Sequence, residues 1–367
     1  MKLKKIVLTF IVAAAAGVVL INSNAVRNCV ADSIYTCLNS VAPSLMTFMT
    51  VATFIADSDC ADVLAKTFGR PVKLLFNLPQ NCTKAVILSM LGGYPCGAKI
   101  ISDMLKNGET DLETAQRMLR FCINASPAYI VSAIGVGLFG SARIGAIICI
   151  SHLLSSLVIG IVFRGKKINA KPCIKQIRPK FSECFVKSVL DSTTAMLYIS
   201  GFTITFSTLL TLLDETGITQ GVITLLEPLI HNSETSRSIF YVLFDVVAGS
   251  HSCIDCPPLT ALLLCAFAVS LGGMSIWAQV AAYLSGQKIN LFDLIFFRFL
   301  HAVLTVGATY IIMNITDTDI STAYIFATNT RQTPTGFLST ALFLLCGALF
   351  VITADKNISL LFRRKRL

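Results

Sequence analysis

Charge is what this sequence has least of. Asp, Glu, Lys and Arg make up 14% of its 367 residues, against roughly 25% in a soluble domain. That shortage, with 54% hydrophobic residues and a mean hydropathy of +0.73, argues against a water-solvated globule and for a polytopic membrane protein. Catalytic signatures are also missing. The chain has no Gly-rich loop ending in Lys-Ser or Lys-Thr, no His-Glu-x-x-His and no Gly-x-Ser-x-Gly elbow. An enzyme is therefore not expected, and no cofactor is called for; scattered Asp, His and Cys are the sole thread toward an intramembrane enzyme. Cysteine itself is plentiful, but the count of 13 is odd and the residues are spread through apolar runs, as at Cys149, Cys265 and Cys346. Free thiols acting as small buried hydrophobes explain that distribution, and a disulfide framework does not.

Nucleic acid would suit a net charge of +10 only if the basic residues formed one face interleaved with aromatics. They gather instead at segment ends: Lys2, Lys4 and Lys5; Arg164 to Lys180; Arg363 to Arg366. This is the positive-inside pattern of membrane proteins. The partner it implies is a lipid bilayer, with anionic headgroups at the basic stretches; an oligomer is compatible with it, nucleic acid is not. The first apolar run, Ile6 to Ile21, is long for a signal peptide, although Ser23-Asn24-Ala25 could pass for a cleavage site. A retained span is expected there.

What the chain does have is a set of broken apolar segments. The run from Ala85 to Leu91 enters Gly92-Gly93-Tyr94-Pro95-Cys96-Gly97-Ala98-Lys99, and Ile100 to Leu105 leaves it. Three Gly and a Pro in six residues interrupt any helix, and in lipid a broken backbone survives only against protein or a water-filled cavity. A second apolar element, Val30 to Ala56, should be kinked or divided at Pro43. Asp111 is placed to cap a helix with Glu113 in its first turn, which breaks at Asn124-Ala125-Ser126-Pro127 and resumes as Ala128 to Phe139. A continuous span, Ile144 to Phe163, precedes a linker with seven basic residues and no acid.

The second half repeats this plan. After Phe185 to Leu213, a short piece with Glu227-Pro228-Leu229 answers Arg70-Pro71-Val72. The run Ile239 to Val247 is expected to break at Ala248-Gly249-Ser250-His251, and Leu259 to Leu271 at Gly272-Gly273. The Pro and Gly landmarks share an offset of 157 (228 − 71 and 250 − 93), and His152 and His301 on the closing spans one of 149 (301 − 152). An offset of 180, pairing Gly92-Gly93 with Gly272-Gly273 and Lys99 with Gln279, matches more letters but leaves the other elements unpaired. The charges flanking matching spans are opposite, Lys66, Arg70 and Lys73 against Asp214, Glu215, Glu227 and Glu234. The halves should therefore be inverted, the organisation of many secondary transporters.

The expected fold is all-α and polytopic, with two inverted repeats containing discontinuous or re-entrant helices and one extra transmembrane helix at each end. Its parts are an N-terminal helix (1–29), a first repeat (30–163), a basic cytoplasmic linker (164–181) and a second repeat (182–313). An extracytoplasmic loop (314–336) and a last helix with a basic tail (337–367) follow. Both termini then lie in the cytoplasm, in a protein of the cytoplasmic membrane.

Four breaks meeting on a pseudo-two-fold axis would form a site for a small polar solute or an ion, using half-helix ends. Its candidate residues are Gly92, Gly93, Tyr94, Pro95, Cys96, Gly97, Lys99, Asn124, Ser126, Pro127, Asp245, Gly249, Ser250, Gly272, Gly273 and Gln279. Lys99 and Asp245 stand out as ionisable residues in apolar segments, either as partners or as helix-end charges reaching the interface. His251-Ser252-Cys253-Ile254-Asp255-Cys256 invites a metal or thiol reading, but a structural zinc site needs a second ligand pair that the chain lacks, and Pro257-Pro258 makes a plain turn equally apt. His152 and His301 fit either a proton relay or packed histidines bonding across helices.

Several of these strings resemble the nucleoside-recognition, or Gate, superfamily, and within it the YlbJ-type sporulation integral membrane proteins. The likeness rests on Val41-Ala42-Pro43-Ser44-Leu45 with Phe48, on Gly93-Tyr94-Pro95-Cys96-Gly97-Ala98-Lys99, and on Arg120-Phe121-Cys122-Ile123-Asn124-Ala125-Ser126-Pro127. It continues in Gly272-Gly273-Met274-Ser275 and Ala278-Gln279-Val280, and spans about residues 30–313. The resemblance implies two Gate-type repeats, a link to spore formation and either solute movement or gating; Asp245 stands where it leads one to expect Glu, and Cys253 and Cys256 are foreign to it. The second reading is a membrane scaffold or assembly factor for the spore envelope that keeps the fold without transport.

Overall fold

The computed structural model describes residues 2–165 and 180–318; most of the linker, the rest of the 314–336 loop and the expected last span and basic tail lie outside them. The described residues are helical throughout, with no strand among them. After α1 (Lys2–Ile21) comes α2 (Ser23–Asp57), then α3 (Cys60–Phe76), α4 (Thr83–Gly92), α5 (Tyr94–Lys106), α6 (Leu112–Leu119), α7 (Tyr129–Val136, wound as a π-helix) and α8 (Ala142–Val162). Beyond the linker the order is α9 (Phe181–Glu215), α10 (Ile218–Ile230), α11 (Ser233–Phe244), α12 (Val246–Ser252), α13 (Pro258–Leu271), α14 (Gly273–Tyr283) and α15 (Leu291–Ile315). Five helical stretches have the length and apolar character to cross a membrane: 23–57, 142–162, 181–215, 258–283 and 291–315.

Proline does not divide α2. The five residues Cys37–Val41 are wound as a π-helix just ahead of Pro43, a widening that accommodates a residue with no N–H to donate. The helix therefore runs on for 35 residues, the same length as α9. At 1.5 Å per residue each is roughly 50 Å long, more than the ~30 Å hydrocarbon core requires.

The first broken segment is a hairpin. Lys84 at the start of α4 forms a 2.7 Å ion pair with Glu109 just beyond α5, and Asn81 Nδ2 donates to the Glu109 carbonyl at 2.6 Å. Entry and exit therefore lie at one end of the molecule, the turn at Gly93 being made at φ +84°, a value that favours glycine. In the second half α11 and α12 fold back in the same way. Ser238 Oγ donates to the Ser252 carbonyl at 2.8 Å, and a Cβ on Gly249 would lie 2.6 Å from Val242 Cα. That turn falls at Asp245, not at the expected Ala248 to His251. Asp245 is extended (φ −147°, ψ 137°) and its carboxylate caps α12, whereas Gly249 and Ser250 sit inside that helix. A carboxylate accepting free N–H groups sets a helix start more firmly than a glycine stops one.

The other two breaks interrupt stretches that run alongside α15 without folding back. Gln116 Nε2 and Arg120 bind Asp293 at the start of α15, at 2.8 and 2.9 Å, while Arg143 at the start of α8 reaches the Thr316 carbonyl beyond α15. The break at residues 121–126 and α7 therefore run along the length of α15, with α6 lying at its starting end. α13 and α14 likewise form one stretch, interrupted only at Gly272 (φ +80°). Asn77 Nδ2 donates to Gly165 at 3.0 Å and Lys187 pairs with Asp57 at 2.7 Å, which gathers residues 57, 77, 165 and 187 at what we call the linker end.

Close packing at the first hairpin makes a prediction. A Cβ on Gly97 would lie 1.9 Å from the Cys122 carbonyl oxygen, whereas one on Gly221 would meet nothing within 4 Å. Gly97→Ala should cost at least about 1–3 kcal/mol and lower the melting temperature in detergent, with Gly221→Ala unchanged or slightly higher.

Candidate functional site

The breaks raise an accounting problem, because each interrupted helix frees backbone groups that lipid cannot satisfy. In the stretch between α6 and α7, Phe121 O accepts from Asn124 Nδ2 at 2.9 Å and from Ser156 Oγ at 2.6 Å. Ile123 O accepts from Arg298 Nη1 on α15, Ala125 N donates to His152 Nε2 at 3.0 Å, and Tyr129 N to Ser126 Oγ at 3.1 Å. At the α13–α14 break, Val269 O accepts from the Tyr94 hydroxyl at the tip of the first hairpin. Ser270 O lies 3.5 Å from Arg298 Nη1, and Leu271 O accepts from Trp277 Nε1 at 2.9 Å. Each half thus supplies side chains for backbone exposed in the other.

Within a half, hairpin tip and broken stretch also touch. A Cβ on Gly93 would meet Ser126 at 3.5 Å, and one on Gly273 would meet Val242 O at 2.9 Å and Asp245 N at 3.1 Å. Asp245 is 1% exposed. One carboxylate oxygen accepts from Val247 N and Ala248 N, both at 2.9 Å, and the other from Ser275 Oγ on α14 at 2.6 Å. It fastens the hairpin to α14 and forms no ion pair among the described residues.

The two histidines join the closing spans. Because His152 Nε2 accepts from Ala125 N–H, its Nδ1 carries the proton and donates to Ser270 Oγ at 2.8 Å. Ser270 donates to Thr305 Oγ1 at 2.8 Å, which donates to the His301 carbonyl at 2.8 Å, and His301 Nε2 donates to the His152 carbonyl at 2.8 Å. Every proton is committed along this chain, the arrangement of packed histidines bonding across helices.

Of the expected site residues, Gly92, Gly93, Tyr94, Pro95, Cys96, Gly97, Asn124, Ser126, Asp245, Gly249, Ser250, Gly272, Gly273 and Gln279 are buried, and Pro127 partly so. Lys99 does not meet Asp245. Its Nζ lies 3.0 Å from Asp103 Oδ2 and 2.9 Å from Asp191 Oδ2 on α9. Cys253 Sγ donates to Gly249 O at 3.1 Å and Cys256 Sγ lies 3.3 Å from Ser238 Oγ. Among the described residues no three His, Cys, Asp or Glu side chains are arranged to hold a metal ion.

Arg298 is the residue that the sequence reading passed over. It is 1% exposed, and the signal was present, since it is the lone Arg within the apolar span Leu291–Ile315. Among the described residues its Nε and Nη2 have no hydrogen-bond partner, nor do Asn124 Oδ1, Ser250 Oγ or either amide atom of Gln279. Burying an arginine in a membrane protein costs at least about 2.5–3.5 kcal/mol, and no carboxylate pairs with this one among the described residues.

Against known proteins, the chain is 25% identical to the sporulation integral membrane protein YlbJ of Bacillus subtilis, in an alignment of 298 residues covering 72% of this chain and 71% of that one. No protein-family profile matches it, and no solved structure does. Asp245 and Ser275 should be coupled. In a double-mutant cycle with Asp245→Ala and Ser275→Ala, thermal unfolding should give an interaction energy of about 0.5–3 kcal/mol, whereas Asp245→Ala and Ser132→Ala should be additive. The chain is an integral membrane protein related to a sporulation protein.

Proposed function

We propose that the chain is a transporter of the Gate type whose two inverted repeats enclose a central site for a small polar solute. The carrying observation is the set of buried, unpartnered polar atoms beside the breaks: Arg298 Nε and Nη2, Asn124 Oδ1 and the Gln279 amide. Protein interiors rarely leave such groups unsatisfied, and a bound solute would satisfy them. The guanidinium has no carboxylate partner, so the solute that fits carries a negative group, which Arg binds in a forked geometry.

Inversion is supported by element order. The seven helices α2 to α8 are matched one for one by α9 to α15, with two 35-residue openers, hairpins α4–α5 and α11–α12, and broken stretches α6–α7 and α13–α14. The positive-inside rule puts the linker end in the cytoplasm, and the YlbJ likeness supports a role in sporulation. One feature favours the scaffold reading instead, since the carbonyls of Phe121, Ile123, Val269 and Leu271 are all satisfied by protein. In the transport reading that is the closed state.

Proteoliposome uptake separates the two. Small carboxylates and phosphates should enter above empty-vesicle rates, nucleosides and metal cations should not, and Arg298→Gln should abolish uptake. Gln279→Leu and Asn124→Ala break at most one local hydrogen bond, so folded protein with uptake lowered at least about tenfold is expected. Uptake equal to empty vesicles for every solute class would remove transport and leave the scaffold.

A further inference from the structure

The ion pair between Lys99 and Asp191 joins two parts that transport would have to separate. Lys99 lies on α5, the returning arm of the first hairpin, and Asp191 on the long helix α9. Around them the same arm is held at two more points, since Ser102 Oγ donates to the Tyr283 carbonyl at 2.8 Å and Gln287 Nε2 to Ser102 Oγ at 2.7 Å. One turn nearer the hairpin tip, Cys96 is fully buried.

We propose that the Lys99–Asp191 pair is the latch that holds this hairpin shut toward the linker end, an inference that rests on the transport reading above. Three observations point that way. The pair is partly buried, with side chains 18% and 26% exposed, so opening carries neither charge to deeper burial. Lys99 also has a second carboxylate on its own helix, Asp103, four residues on and 44% exposed. When α5 leaves α9, the ammonium keeps that partner, which makes the two states close in energy in the way a switch requires. Finally, the remaining fastenings of the arm at Ser102 are neutral hydrogen bonds, so the ion pair is the contact that a change of charge can release.

Access to Cys96 reads the latch directly. The full-length protein in sealed membrane vesicles of each orientation is treated with a membrane-impermeant maleimide, and labelling is read peptide by peptide by mass spectrometry. Cys96 should react slowly in the parent protein. Asp191→Asn should speed it about fivefold, the effect of one exposed-to-intermediate ion pair, and only from the face carrying residues 165 and 180. The exchanged pair Lys99→Asp with Asp191→Lys should return it to the slow rate, with Cys265 on α13 unreactive throughout. The inference is overturned if Asp191→Asn leaves Cys96 unchanged, if the exchanged pair fails to restore protection, or if Cys265 becomes reactive in step, which is general loosening. Labelling is measured without solute, so a failed latch leaves the uptake result standing, and absent uptake removes the transport reading whatever the labelling shows.

Discussion

A helix interrupted inside a membrane must hand its freed carbonyl and N–H groups to something other than lipid. In this protein most go to side chains of the same half, and one carbonyl in each half goes to a side chain of the other. Tyr94 of the first hairpin caps Val269, while Arg298 of the last described helix caps Ile123. His152 receives Ala125 N–H and passes its own proton to Ser270. One carbonyl in each half therefore depends on the other half, so these two caps also tie the halves together in register.

The same constraint separates structural from spare polarity. Asp245 has all its hydrogen bonds to the hairpin and to Ser275, and the histidine chain uses each of its polar groups except His301 Nδ1. Against that background the open valences of Arg298, Asn124 and Gln279 are conspicuous, because similar groups a few residues away are fully used. Lys99 belongs to neither group. It lies outside the buried network, between two partly exposed carboxylates.

Much of this arrangement was legible in the residues. Gly93, Gly272 and Gly273, at φ +84°, +80° and +67°, mark breaks because no other residue takes such angles so cheaply, and Asp111 caps its helix as expected, accepting from Thr114 N at 2.7 Å. The break at Asp245 was misplaced by three residues, since Gly249 draws attention as a helix breaker while its real task is to let α12 pack against Val242. At Pro43 the sequence points to a kink or a division; the helix is not divided there, and the π-helical turn that takes up the proline leaves no signature in composition. Whether Lys99 and Asp245 are partners or separate helix-end charges stays open in the sequence; the acid that Lys99 meets, Asp191, sits in a Ser- and Thr-rich span nearly a hundred residues away, and contact at that separation follows only from the assembled fold. Arg298 could have been found by the rule that singled out Lys99 and Asp245, as an ionisable residue in an apolar span.

Reciprocity between the halves is the claim on which the site and the proposed transport both stand. It is tested most directly by replacing Tyr94 with a photo-reactive benzoylphenylalanine, irradiating the full-length protein in membranes and identifying the cross-linked peptide. The account predicts capture of the Pro258–Leu271 helix at or beside Val269. Cross-links confined to residues before 165 would contradict it, because the first hairpin would then be closed by its own half.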